Sequence, residues 1–150
     1  MWQRKQTIFI AIAIICGIIC LCLPVARWIP AGMGPDFEVY NLFYVRDGGE
    51  AGYKVAGLFA TQLLTLPLGV VAILKFHNRM LQAKLCLINM FLLVIWYLLF
   101  AATAQPASTG FLFKPHLAAC LPMIEIIFYF LARKGILADE KLVKAADRIR

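Results

Sequence analysis

The chain has 150 residues, 63% of them apolar and 15% charged, and a formal net charge of +7. A soluble domain is nearer half apolar, and here the excess is gathered into four blocks, which excludes an ordinary soluble core and points to a membrane protein. The five cysteines, Cys16, Cys20, Cys22, Cys86 and Cys120, lie within or beside those blocks, so buried thiols are expected rather than a disulfide framework or a metal site.

The first block, 7–26, carries no charge and follows Arg4 and Lys5. A signal peptide begins the same way, but the small-residue cleavage pattern before Arg27 is poor, so an uncleaved first span is expected. Ala13 and Gly17 are four apart and permit close approach of a neighbouring helix. The loop 27–54 opens with Trp28 and Pro30 at the expected water interface, and Gly32, Gly34 and Pro35 break any helix there. Phe37, Tyr40, Phe43 and Tyr44 then predict a short strand or an interfacial segment, either a lid over the helix ends or a partner-binding surface.

The second expected span is 55–74. Gly57, Thr61, Thr65 and Gly69 recur every four residues, a stripe of small side chains suited to helix packing, with Gln62 beside it. Pro67 predicts a kink. A basic connection with Lys75, His77, Arg79 and Lys84 leads to the third span, 85–104, which holds Asn89, Trp96 and Tyr97. A polar turn over 105–115 precedes the fourth span, 116–132, with Glu125 near its middle. Arg133 and Lys134 stop that span, and Gly135 reads as a helix terminator. Beyond it, Leu142, Ala145, Ala146 and Ile149 share one face, predicting a short separate amphipathic helix over the tail 133–150.

Segments 1–6, 75–84 and the tail hold eleven of the fifteen Lys and Arg residues. Basic residues concentrate on the cytoplasmic side, so both termini are expected inside and the loops 27–54 and 105–115 outside. The fold expected from these readings is all-α: a four-transmembrane-helix bundle, one integral membrane domain, with a short amphipathic C-terminal helix.

An acid within a span costs ~2.5–3.5 kcal/mol on insertion scales unless it is compensated. Tyr97, Thr65 and Gln62 are the donors expected at the depth of Glu125. Two readings stay open: a neutral glutamic acid bonded between helices, or a proton or cation site. No phosphate loop, nucleophile elbow or zinc-protease motif is present, so neither an enzyme nor a cofactor is expected. His77 and His116 fall on opposite expected sides, which separates them as metal ligands.

The start WQRKQTIF and the tail ARKGILADEKLVKAADRIR, at 2–9 and 132–150, resemble family 4293 of the domains of unknown function. Those are small four-span bacterial inner-membrane proteins, and the resemblance implies a multi-pass protein of the bacterial cytoplasmic membrane. It brings no activity or catalytic residue. Both stretches fall on the expected cytoplasmic side, where Arg4, Lys5, Arg133 and Lys134 would join Lys141, Lys144, Arg148 and Arg150 as one contact surface. The function expected is a non-enzymatic accessory or scaffold subunit of a larger membrane complex; the alternative is a small oligomeric channel or proton-coupled transporter using Glu125. Expected partners are the lipid bilayer, other membrane subunits and anionic lipid at the basic tail. Nucleic acid is not expected, because the tail lacks interleaved aromatics.

Overall fold

The computed structural model describes residues 5–32, 34–46, 49, 51–75, 77–104 and 110–147, the side chains of Lys5, Lys144, Ala146 and Asp147 excepted. The first apolar run folds as α1 (Lys5–Cys22). Pro24 has no amide proton to continue a helix, and there the chain turns into β1 (Ala26–Pro30). Strands β2 (Phe37–Val39), β3 (Tyr44–Arg46) and β4 (Ala51–Gly52) precede α2 (Ala56–Leu74). The next helix, α3 (Arg79–Thr103), starts at Asn78, whose side chain accepts from the Leu81 amide at 3.2 Å. Strand β5 (Phe111–Pro115) and a 3-10 turn (Leu117–Cys120) lead into α4 (Leu121–Asp147). Pro122 sits in the first turn of α4, where its missing donor costs little.

The helices form a ring in which α1 and α3 each pack against α2 and α4. One apolar cluster includes Ile10, Leu93, Tyr129 and Ile136; a second, nearer the sheet, includes Cys20, Val39, Leu58 and Trp96. The sheet runs β4-β3-β2-β1-β5, antiparallel throughout. Its register places Trp28 opposite both Phe37 and Phe113, and Arg27 opposite both Glu38 and Lys114. Because side chains alternate between faces, Trp28, Phe37, Tyr44, Phe111 and Phe113 line the face turned to the bundle. Trp28 Nε1 donates to the Thr103 carbonyl at 3.2 Å, and the Phe113 ring meets Phe100 edge-on at 5.5 Å. Gly110, at φ +129°, turns the chain into β5, and its carbonyl accepts from the Ala31 amide at 2.6 Å.

The all-α four-span expectation is overturned. A five-stranded antiparallel sheet stands beside the four helices, and two of those helices, α2 and α3, are long and apolar enough to cross a membrane. Strands of two to five residues inside loops leave little periodic signal, and the β1–β5 pairing joins segments far apart in sequence. The apolar stretch of α1, Gln6–Cys22, is shorter than the expected 7–26 because its last residues leave the helix at Pro24. In α4 the charges at Arg133 and Lys134 fall within the helix instead of ending it.

No break occurs at Gly135. A glycine inside a helix costs only about 1 kcal/mol relative to alanine, and Ala132 and Ile136 are fully buried on either side of it. The tail is therefore a continuation of α4, not a separate amphipathic helix. Its expected apolar face does not pack on the bundle: Leu142 is 69% exposed and Ala145 is exposed, while the Ala146 side chain and Ile149 lie outside the described residues.

Candidate functional site

Four places concentrate polar chemistry, and the first lies inside the bundle. Glu125 and Gln62 are both fully buried, and Gln62 Nε2 donates to Glu125 Oε1 at 2.7 Å. Gly17 of α1 closes the third side: a β-carbon there would stand 3.0 Å from Gln62 Nε2 and 3.2 Å from Glu125 Oε2. Each of the three residues lies within two turns of the helix end that meets the sheet. The acid is thus nearer the sheet than to mid-bundle.

The expected donors divide. Gln62 reaches Glu125, but the Thr65 hydroxyl donates to the Gln62 carbonyl at 2.7 Å and the Tyr97 hydroxyl to the Ala119 carbonyl at 2.8 Å. Deeper in the bundle, Asn89 lies beside Tyr129, yet its buried amide atoms fall outside hydrogen-bond geometry.

The small-residue stripe does not act as one face. Gly69 packs tightly, since a β-carbon there would stand 2.7 Å from the Tyr129 hydroxyl, and Thr65 is buried; Thr61 is half-buried and Gly57 exposed. A four-residue step overshoots one turn by about 40°, so three steps carry the stripe a third of the way around the helix. The buried face follows alternating steps of four and three: Leu58, Gln62, Thr65, Gly69 and Ala72. Thr61 donates to the carbonyls of Gly57 and Leu58 on its own helix.

The second place, absent from the sequence expectations, is Asn41. It is fully buried where the sheet meets the helices. Its side-chain nitrogen donates to the Cys20 carbonyl at 2.6 Å, its side-chain oxygen accepts from Trp96 Nε1 at 2.9 Å, and its backbone carbonyl accepts from the Phe59 amide at 3.1 Å. One asparagine thereby ties α1, α2 and α3 to the loop between β2 and β3. An asparagine among aromatics in a loop gives no sequence signal for this role.

The third place is the outward face of the sheet, an open cleft of about 450 Å³ lined by residues that include Arg27, Asp36, Glu38, Tyr40 and Phe43. Arg27 donates to Glu38 at 2.8 Å and lies 3.7 Å from Asp36. The hydrogen bond from Arg27 holds the Glu38 carboxyl below the usual carboxylate range, and the Tyr40 hydroxyl adds a second donor at 3.3 Å. Tyr40 itself is pushed up, first by burial and then by the charge on Glu38.

At the opposite end, Asp139 of α4 is tied to α1 and α3: Gln6 Nε2 donates to its carboxylate and Arg79 Nη1 to its carbonyl at 3.4 Å. Of the expected contact surface, Arg133 is half-buried near Cys86, while Lys134 and Lys141 are exposed. Arg4, Arg148 and Arg150 lie outside the described residues, as do the side chains of Lys5 and Lys144. All five cysteines are free; Cys20 and Cys86 are buried, whereas Cys22 and Cys120 are exposed, against the expectation of burial. No group of three potential metal ligands occurs among the described residues.

The chain matches the model of the domain of unknown function DUF4293 over residues 2–149 and belongs to that family. A search of curated proteins finds no match.

Proposed function

We propose that this DUF4293 protein is an integral protein of the bacterial cytoplasmic membrane and serves as a non-enzymatic accessory or scaffold subunit of a larger membrane assembly. Large apolar side chains point outward from every helix, among them Ile15 and Ile18 on α1, Leu64 on α2, Phe91 and Leu98 on α3 and Phe130 on α4. A surface that apolar favours lipid contact over water. Among the described residues the sheet has two open edges, β4 and β5, whose unpaired backbone groups are not tolerated against lipid, so it belongs outside the hydrocarbon. Lys75, Arg79, Lys84, Lys134 and Lys141 cluster toward the other end, which favours a multi-pass protein with that end and both termini in the cytoplasm.

The observation that carries the accessory role is the β1–β5 pairing. It fuses two loops into one sheet, braced on the bundle by aromatics and presenting the Arg27–Glu38–Tyr40 cleft outward. Such a fixed polar surface with aromatic rims fits contact with another subunit. Purification in gentle detergent tests it: a stoichiometric companion is expected, and a lone monomer counts against the reading. A second reading, a proton-coupled transporter or small oligomeric channel, draws on buried Glu125. Reconstituted flux that depends on that carboxyl would favour it.

A further inference from the structure

We infer that the Glu125–Gln62 pair is a binding site for a single proton, held on Glu125 Oε2 between α1, α2 and α4. The inference stands apart from the accessory role and holds whether or not the chain has partners. An ionised carboxylate offers about four lone-pair sites and no donor. Among the described residues the one bond formed at Glu125 is from Gln62 Nε2, and Oε2 is buried with no partner. Gln62 Oε1, on the same amide, is likewise buried without a partner. One proton addresses both atoms: Oε2 becomes a hydroxyl donor, and the amide that already donates to Oε1 carries the acceptor this hydroxyl needs.

Among the described residues the surroundings offer no other compensation. The titratable groups that face Glu125 are Cys16 and Cys20 on α1, Tyr97 on α3 and Tyr129 on α4 itself, and none is cationic at neutral pH. On α2 the neighbours are the neutral Gln62 and Thr65, and the Thr65 hydroxyl is committed to a backbone carbonyl. A bare carboxylate here would be a buried, unpaired charge, the costliest arrangement available to it.

Space decides between a proton and a metal ion. Even a methyl group on Gly17 would come within 3.0–3.2 Å of the pair, and Leu66 Cδ2 closes the same space at 3.0 Å. An ion or a water needs more room and more oxygen partners than this seam supplies. A hydrogen atom fits.

Infrared difference spectroscopy of the full chain in phospholipid vesicles at neutral pH tests the inference. The wild-type protein should show the C=O stretch of a protonated carboxylic acid, and 13C-glutamate labelling should move that band. Glu125→Gln should lose it. Gln62→Leu, which keeps the acid and removes its donor, should shift it to higher wavenumber. A wild-type spectrum without the band, or a band that survives in Glu125→Gln, overturns the inference. A band unmoved in Gln62→Leu overturns the pairing with Gln62. If Glu125→Gln fails to fold, the isotope shift and the Gln62→Leu spectrum still decide the matter.

Discussion

Trp96 and Asn41 share a 2.9 Å hydrogen bond in which the indole of a fully buried α3 side chain donates to a loop side chain that is itself fully buried. Neither group can turn to water, so the bond links the position of the sheet to the packing of the bundle. Asn41→Ala leaves both the Trp96 donor and the Cys20 carbonyl without their partner. A loss of about 1–3 kcal/mol per unsatisfied group is expected, read by thermal unfolding in detergent. Asn41→Asp retains the acceptor for Trp96 but loses the donor to Cys20, and should still unfold earlier than wild type.

Two glycines should respond in opposite ways to the same substitution. Gly17→Ala forces a methyl against Gln62, Leu66 and Glu125 and is expected to destabilise by roughly 1–3 kcal/mol. Gly135→Ala meets the Gln6 side chain, whose Cγ has to give by a few tenths of an ångström, and helix propensity there gains up to about 1 kcal/mol. Parallel melting curves in one detergent check the contrast.

The outward cleft should register acid. Glu38 titrates below its unfolded value of about 4.3 because Arg27 donates to its ionised form. Its contribution is therefore complete above that unfolded value and is lost as pH falls through the lower folded value. The side chains are 39% exposed, so screening keeps the effect within about 1 kcal/mol. Unfolding followed from neutral pH to about pH 3 should show this increment in wild type and not in Glu38→Gln.

Orientation is open to single-cysteine labelling in a cysteine-free background. Leu112→Cys on β5 is expected to react with a membrane-impermeant maleimide added to intact cells after the outer membrane is made permeable. Lys134→Cys is expected to react only once the inner membrane is opened. The reverse pattern would place the sheet in the cytoplasm.

The legible parts of the fold were those with a local cause. The second apolar run begins and ends almost where α2 does, since the 19 residues of that helix have no charge and the run is bounded by Lys54 and Lys75. Of the sheet only the aromatic stretch was legible, where the expected short strand falls on β2 and β3; the rest was not, because its largest contact pairs β1 with β5 across two helices and its strands are too short for periodicity to register. The continuation of α4 through Gly135 was not legible either, because burial of Ala132 and Ile136 outweighs a modest local preference. At the candidate site, Glu125 stood out as an acid in an apolar run, and its partner Gln62 was one of three expected donors. Thr65 and Tyr97 were ruled out by backbone carbonyls that only the folded chain brings within reach. The stripe from Gly57 to Gly69 failed for a geometric reason, the precession of a four-residue repeat around a helix of 3.6 residues per turn.

The most direct test of the accessory role compares quantitative affinity purifications of wild type and of a variant changed only in the outward cleft. Glu38→Lys with Tyr40→Ala reverses charge and removes an aromatic on that face without touching the bundle-facing aromatics. A membrane companion that recovers in stoichiometric amount with wild type, and falls at least tenfold with a folded variant, is the predicted result. A monomer that purifies alone in both cases, or a companion retained equally by both, would contradict it.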